Sequence, residues 1–371
     1  MQSAAHQEKH FQQYIIDRLV EQGWKLGDSK FYDTERAVYP EDLESWIKTS
    51  GQQEKWDKLE RLNGAKTLEV LMDRLDKALE KQGTMQVLRQ GFSIAGCGLI
   101  EMTEAAQEDK RNAAVIERYQ ANILRVVPEL KYHPAREFAI DLVLFINGLP
   151  VATVELKTDF TQSCEAAMDQ YRNDRLPYDA QTKRREPLLT FKRGAVVHFA
   201  MSDSEIMMAT KLDGENTFFL PFNKGRKDES GTVHAGNPPG EIKADGTQEY
   251  PVAYFWEAVC QPDAWLRIFH SFVYVEKKDV VDIQGNWSKK ETLIFPRFHQ
   301  WTAVNQMLAD ARENGAGMTY LCDHSAGSGK TSTISWTAHD LVKLREDNGD
   351  AVFNSVIIVT DRNVLDGQLQ D

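Results

Sequence analysis

Glu137-Phe-Ala-Ile-Asp141-Leu-Val-Leu-Phe-Ile-Asn147-Gly148-Leu-Pro-Val-Ala-Thr-Val-Glu155-Leu156-Lys157 is the stretch on which the fold turns. Two runs rich in Val, Ile, Leu and Phe flank Asn147-Gly148, the dipeptide that most favours a tight hairpin. Folding the runs back about that turn sets Asp141 opposite the neighbourhood of Glu155. Residues two apart on a strand share a face, so Glu155 and Lys157 point the same way. Two carboxylates and an ammonium therefore converge on an otherwise apolar sheet. Buried charges are costly unless they are paired or hold a metal ion. The arrangement predicts a magnesium-dependent phosphodiesterase site, with Asp141, Glu155 and Lys157 as its reacting groups. A structural ion pair between Asp141 and Lys157 is the plainer explanation of the same residues. The hairpin favours the site, because it gives all three residues a reason to meet.

Composition bounds the rest. The 371 residues are 42% hydrophobic and 27% charged, enough for two or three domains with sizeable cores. No apolar run approaches the roughly 20 residues that span a bilayer, and the N-terminus has no signal-peptide core. Cys97, Cys164, Cys260 and Cys322 lack any metal or disulfide spacing. They suit a reducing compartment, and the expectation is a cytoplasmic protein without a membrane partner. The net charge of −12 opposes a broad nucleic-acid face. Lys183-Arg-Arg185, Lys192-Arg193 and Lys224-Gly-Arg-Lys227 nevertheless cluster downstream of the hairpin.

Apolar spacing predicts an amphipathic helix from about Ala4 to Glu21, with Phe11, Tyr14, Ile15 and Leu19 on one face and Glu8 one turn before Phe11. Two further helical stretches cover 41–60 and 66–82. Strand-like segments follow at 91–102 and 122–127, then the hairpin, then a helix over 164–173. Short apolar runs occupy 188–191, 195–201 and 206–210. A polar stretch over 222–250 precedes helical character near 254–259 and 265–269. This order predicts a mixed sheet flanked by helices.

A second motif lies near the C-terminus. The apolar run 318–323 leads into Ser325-Ala-Gly327-Ser328-Gly329-Lys330-Thr331, which opens a helix. A glycine-rich turn between strand and helix aims backbone N–H groups at phosphate. Gly327, Ser328 and Gly329 would cradle ATP, Lys330 would reach its β and γ phosphates, and Thr331 would hold Mg²⁺. The longer form of the motif wants Gly where His324 stands. Gln300, about 30 residues upstream, has the amide donor and acceptor to read adenine. A second strand is expected over 355–362. The division expected is 1–250, a connecting segment 251–290, and 291–371. The chain reaches Asp371 without the acidic pair that a motor of this kind needs after a later strand. The expectation is therefore an N-terminal fragment that does not hydrolyse ATP by itself.

A nuclease hairpin followed by a helicase-type nucleotide loop resembles the restriction (motor) subunit of type I restriction enzymes. The resemblance includes the Asp141…Glu155-Leu-Lys157 core, Pro187-Leu-Leu-Thr-Phe-Lys-Arg193, the Lys211–Gly225 segment with Leu220-Pro-Phe-Asn-Lys-Gly, Gly236-Asn-Pro-Pro, Arg297-Phe-His-Gln300 and the Lys330 loop. It implies an α/β protein: a mixed-sheet PD-(D/E)XK nuclease domain, then the first part of a RecA-like parallel α/β motor domain. Asp141, Glu155 and the Leu156 carbonyl would hold Mg²⁺, with Glu8 as an added acidic group from the first helix. The family's Gln-x-x-x-Tyr element survives as Tyr171, with Gln170 adjacent and Ala167 where Gln is expected. The resemblance implies that these two contact DNA or support the site. It further implies cutting of double-stranded DNA away from the recognition site, ATP-driven translocation, and methyltransferase and specificity subunits as partners. A repair nuclease–helicase shares both motifs, and a catalytically silent docking module shares the fold. The Lys211–Gly225 segment separates the chain from the first, the intact Asp, Glu and Lys from the second.

Overall fold

The computed structural model describes residues 4–108, 111–159, 163–281, 285–346 and 348–359. The chain forms two compact units, one of residues 1–105 with 117–295 and one of residues 106–116 with 296–371.

The chain begins with α1 (Ala4–Glu21), β1 (Lys25–Leu26), α2 (Pro40–Thr49), α3 (Gln53–Asn63), α4 (Thr67–Gln82) and α5 (Thr84–Gln90). The single helix expected over 41–60 is broken, because Gly51 takes φ +75° and ends α2 before α3 begins. Pro40 opens α2 at the one position where its missing N–H costs nothing. The segment expected as strand-like over 91–102 is a small hairpin of β2 (Phe92–Ile94) and β3 (Gly98–Ile100). After α6 (Ala113–Gln120) come β4 (Leu124–Lys131), β5 (Ala139–Ile146), β6 (Leu149–Leu156), α7 (Cys164–Asn173), β7 (Val197–Met201), β8 (Ile206–Ala209) and β9 (Leu220–Pro221).

These strands form a mixed seven-stranded sheet in the order β1-β4-β5-β6-β7-β8-β9. Only β1 with β4 and β6 with β7 run parallel. The second of these pairs is bridged by α7, as a parallel crossover requires. Alternation is absent from β6, which is buried at every position and reads accordingly as a continuous apolar run. One face of the sheet packs on Tyr32, Met168, Tyr171, Leu188 and Leu189. The apolar run at 188–191 is thus core, but it is turn rather than strand, since Gly194 N bonds back to Thr190 O.

Two of the stretches that carry the family resemblance, Lys211–Gly225 and Gly236-Asn-Pro-Pro, meet in space. Asn237 accepts the Lys224 N–H at 2.8 Å and donates to Ser204 O at 2.8 Å, and Gly225 N bonds to Gly236 O at 2.9 Å. They stand beside the short strand pair β10 (Arg226–Lys227) and β11 (Val233–His234). The helical character near 254–272 is real but partly π-helical, around α8 (Pro262–Arg267). A ribbon of β12 (Tyr274–Val281) and β13 (Trp287–Ile294) completes this unit.

The second unit carries α9 (Phe298–Asn314) and α10 (Lys330–Lys343), packed on each other. The strands expected over 318–323 and 355–362 are not formed among the described residues, and 360–362 lie outside them. Leu321 is 92% exposed and Val359 88%. An apolar run supplies a strand's face, but only a neighbour supplies its ladder. No helix among the described residues is long and apolar enough to cross a membrane.

Candidate active site

The site is assembled by an irregularity in the hairpin. Asn147 and Gly148 take φ +49° and +86°, the mirror-image turn that matches strand twist. Asn147 is wholly buried, and its side chain accepts from Ile123 N and donates to Met102 O, which nails the turn to the body. Pairing runs Ile146 with Leu149 and Phe145 with Pro150, then slips so that Leu144 meets Ala152 and Leu142 meets Val154. Val151 is the bulged residue. Without it Asp141 would stand across from Val154, and Glu155 would project from the other face. The bulge carries Asp141 on to Glu155.

Asp141 Oδ2 accepts the Leu156 N–H at 2.6 Å, and its own carbonyl accepts from Gln12 Nε2 of α1 at 2.6 Å. The neighbouring strand β4 leaves the ladder there, with Glu129 at φ +45° and no partner for Asp141 in the register. Gln12 fills the gap. Glu155 is wholly buried; its Oε1 receives Arg175 Nε at 2.5 Å, and its Oε2 has no donor. Lys157 Nζ donates to the Leu156 carbonyl at 2.8 Å and to Glu8 Oε1 at 3.3 Å. Burial pushes the Asp141 carboxyl up, opposed by the Leu156 N–H and the Lys157 charge. Glu155 is pushed well up, first by burial and then by Asp141, against the pull of Arg175. Two such carboxylates need a shared proton or a cation between them. The donor set of two carboxylates, a backbone carbonyl and a third carboxylate nearby is all hard oxygen, which suits Mg²⁺. Glu155 Oε2, buried with no donor, is the atom that such an ion would satisfy.

In the second unit Gly327 and Gly329 take φ +74° and +84° before α10 begins at Lys330. Lys330 is exposed and Thr331 half-buried, while Ser328 is buried. Gln300 is fastened to this loop: its Nε2 donates to Gly329 O at 2.9 Å and its Oε1 accepts from Arg297 N at 2.9 Å. The φ of +84° favours glycine at 329, and a Cβ there would lie 2.4 Å from the Gln300 amide and push it off the loop. Reading adenine would require Gln300 to exchange both bonds.

The sequence profile described as type I restriction enzyme R protein N terminus matches residues 6–217, more than half of the chain. The chain belongs to this family. A second profile, SWI2/SNF2 ATPase, matches residues 299–371. The type I restriction enzyme HindI endonuclease subunit of Haemophilus influenzae is 24% identical over 235 residues, which are 62% of this chain and 19% of that protein. A Methanocaldococcus jannaschii protein, provisionally named type I restriction enzyme MjaVIIIP endonuclease subunit, is 24% identical over 259 residues, 68% of this chain and 21% of its own length. The chain thus spans about a fifth of the length of these relatives.

In this R-protein N-terminal domain, Tyr171 is closed off from solvent and bonds Thr153 Oγ1 at 2.7 Å. Thr153 in turn meets His198 Nδ1 at 2.8 Å. Tyr171 thus supports the sheet one register step from Glu155, and Gln170 beside it has a buried Oε1 with no donor. Burial alone drags the His198 imidazole down to about 3. A base with a depressed folded-state pKa contributes stability present above its unfolded value near 6.5 and lost as pH falls toward 3. Stability should therefore fall by roughly 1.4 kcal/mol per pH unit from this residue alone. Denaturant unfolding of wild type and His198→Gln between pH 6.5 and 4.5 checks it: the wild-type slope should be steeper, and parallel slopes would contradict the assignment.

Arg175, Gln12 and the main-chain role of Glu129 escaped sequence reasoning: Gln12 lies far from the motif along the chain, and nothing in local spacing marks Arg175 or Glu129 as facing it. His133, Asp179 and Glu186 also converge, with His133 Nε2 at 3.3 and 3.4 Å from the two carboxylates. Yet His133 Nδ1 accepts the Ala135 N–H at 3.1 Å, so the ring proton sits on Nε2 and faces the carboxylates. With its proton on Nε2, the ring offers the space between the carboxylates no lone pair for a metal.

Proposed function

We propose that this chain is the endonuclease part of a type I restriction enzyme's R protein, and that it hydrolyses phosphodiester bonds of double-stranded DNA with Mg²⁺. The observation that carries the reading is the convergence of Asp141, Glu155 and Lys157, with a buried Glu155 oxygen that lacks any donor. Asp141, Glu155 and the Leu156 carbonyl would hold the ion, with Glu8 on its rim. Bound there, Mg²⁺ would lower the pKa of a water molecule and offset charge at phosphorus. The water oxygen forms the new bond to phosphorus as the bond to the opposite sugar oxygen breaks. Lys157 exchanges its bond to the Leu156 carbonyl for one to the attacked phosphate or the water, and so places positive charge where negative charge develops.

The loop at Gly327–Thr331 fits ATP, with Lys330 on the phosphates and Thr331 on a second Mg²⁺. Coupling of ATP-driven translocation to cutting, and work alongside methyltransferase and specificity subunits in the cytoplasm, follow from the same reading. Relatives named as endonuclease subunits support it.

Metal removal is the first test. The chain, stripped with EDTA and freed of nucleotide, should bind one Mn²⁺ by calorimetry, and Glu155→Gln should remove that binding. A wild-type chain that takes up no metal would sink the nuclease reading.

A further inference from the structure

Arg175 stands on the turn that ends α7, its N–H bonded to Gln170 O at 3.1 Å. Its guanidinium reaches inward to Glu155 Oε1 at 2.5 Å, and the whole residue is 8% exposed. On its other side it lines a cavity of about 330 Å³ together with Tyr132, His133 and Glu186. A buried ion pair that serves folding alone is stable only when every remaining lone pair finds a donor. This one leaves Glu155 Oε2 with no donor outside the Asp141–Glu155 carboxyl pair itself. The arginine bonds through Nε to one carboxylate oxygen and leaves the other open toward the catalytic cluster.

We infer that Arg175 is a positioning residue of the metal site: it holds Glu155 by Oε1 so that Oε2 alone faces the ion, and its charge stands in for the ion when none is bound. The inference rests on the nuclease reading and deepens it. In the metal-free protein Asp141 and Glu155 lie together in a dry interior, where two full negative charges would repel strongly and a shared proton relieves only part of the strain. The guanidinium offsets that repulsion without entering the space between the carboxylates. When metal arrives, Arg175 becomes a competing cation a few ångströms away. Two consequences follow that a merely structural ion pair would not produce. Loss of Arg175 should hurt the metal-free protein far more than the loaded one. It should also tighten metal binding, since the site loses a cation and gains a second Glu155 oxygen.

Thermal unfolding of the EDTA-treated chain, with and without saturating Mn²⁺, separates these cases. Without metal, Arg175→Met should unfold roughly 5–10 °C below wild type. Mn²⁺ should close at least half of that gap, and the variant's Kd for Mn²⁺ should fall about tenfold. Arg175→Lys, which keeps the charge, should show a smaller metal-free loss and near-wild-type affinity. If Arg175→Met does not fold, Arg175→Gln, which also removes the charge, carries the same comparison with and without Mn²⁺. A gap that Mn²⁺ leaves unchanged, while stabilising wild type, would reduce Arg175 to a structural partner and overturn the inference. Mn²⁺ stabilisation that is absent in wild type, or that survives Asp141→Ala, would instead remove the metal site itself.

Discussion

Asp141→Ala in the full-length protein should cut DNA at least about a thousand-fold more slowly than wild type, while ATP-driven translocation persists. A metal ligand at a phosphodiesterase centre supplies several kcal/mol of transition-state stabilisation, and about 4 kcal/mol is a thousand-fold in rate. The substitution should not unfold the domain. It removes one hydrogen bond, from Leu156 N, and it also relieves the repulsion that raises Glu155. These effects oppose each other, so the variant's stability should lie within about 1 kcal/mol of wild type. On the proposed reading translocation would depend on the other motif, at Gly327–Thr331, which shares no residue with the hairpin. Plasmid cutting and triplex displacement on the same preparation read the two activities side by side. Cutting at a tenth of the wild-type rate or more would refute Asp141 as a ligand.

Asp42→Ala should cost about 3–5 kcal/mol of stability, as much as truncating a buried aromatic side chain. Arg125 lies on β4 within the sheet at 5% exposure, and Asp42 on α2 at 0%. The guanidinium meets both carboxylate oxygens, Nε at 2.6 Å and Nη2 at 2.7 Å, and packs over the Tyr39 ring. Truncating the acid leaves the guanidinium with Leu26 O at 3.2 Å, the exposed Glu41 carboxylate at 3.5 Å and the Tyr39 ring, none of which replaces the two short bonds to Asp42. Replacing both partners by apolar residues, Arg125→Met with Asp42→Leu, should recover most of the loss, because no charge is then left uncompensated. Urea unfolding of the three variants measures it. A loss below 1 kcal/mol for Asp42→Ala would show that the pair is not desolvated.

The hairpin was legible because its signals agree: a dipeptide that suits positive φ, and two apolar runs of strand length. The helix over 164–173 and the mixed sheet follow from the same patterning. What escaped the sequence was whatever depends on a single step of register. A two-residue turn read plainly would pair Asp141 with Val154, and only the bulge at Val151 brings Glu155 onto the same face. Pro150 beside it is the one local sign of that bulge, since proline cannot donate to a central ladder, but it does not say which way the register slips. Glu8 reaches Lys157 because Gln12, one turn later on the same helix, fills a gap in the β4 ladder. Contacts across more than 100 residues of chain leave no trace in spacing. The unformed strands at 318–323 and 355–359 show the converse, apolar runs that lack ladder partners among the described residues.

The most direct test of the central claim is a Mn²⁺ soak of crystals of this chain, with data collected at the manganese edge. The account predicts an anomalous peak between Asp141 and Glu155, within bonding distance of the Leu156 carbonyl, with Lys157 drawn away from that carbonyl. An empty site at saturating Mn²⁺, with Lys157 still bonded to Leu156 O and Arg175 to Glu155, would contradict it.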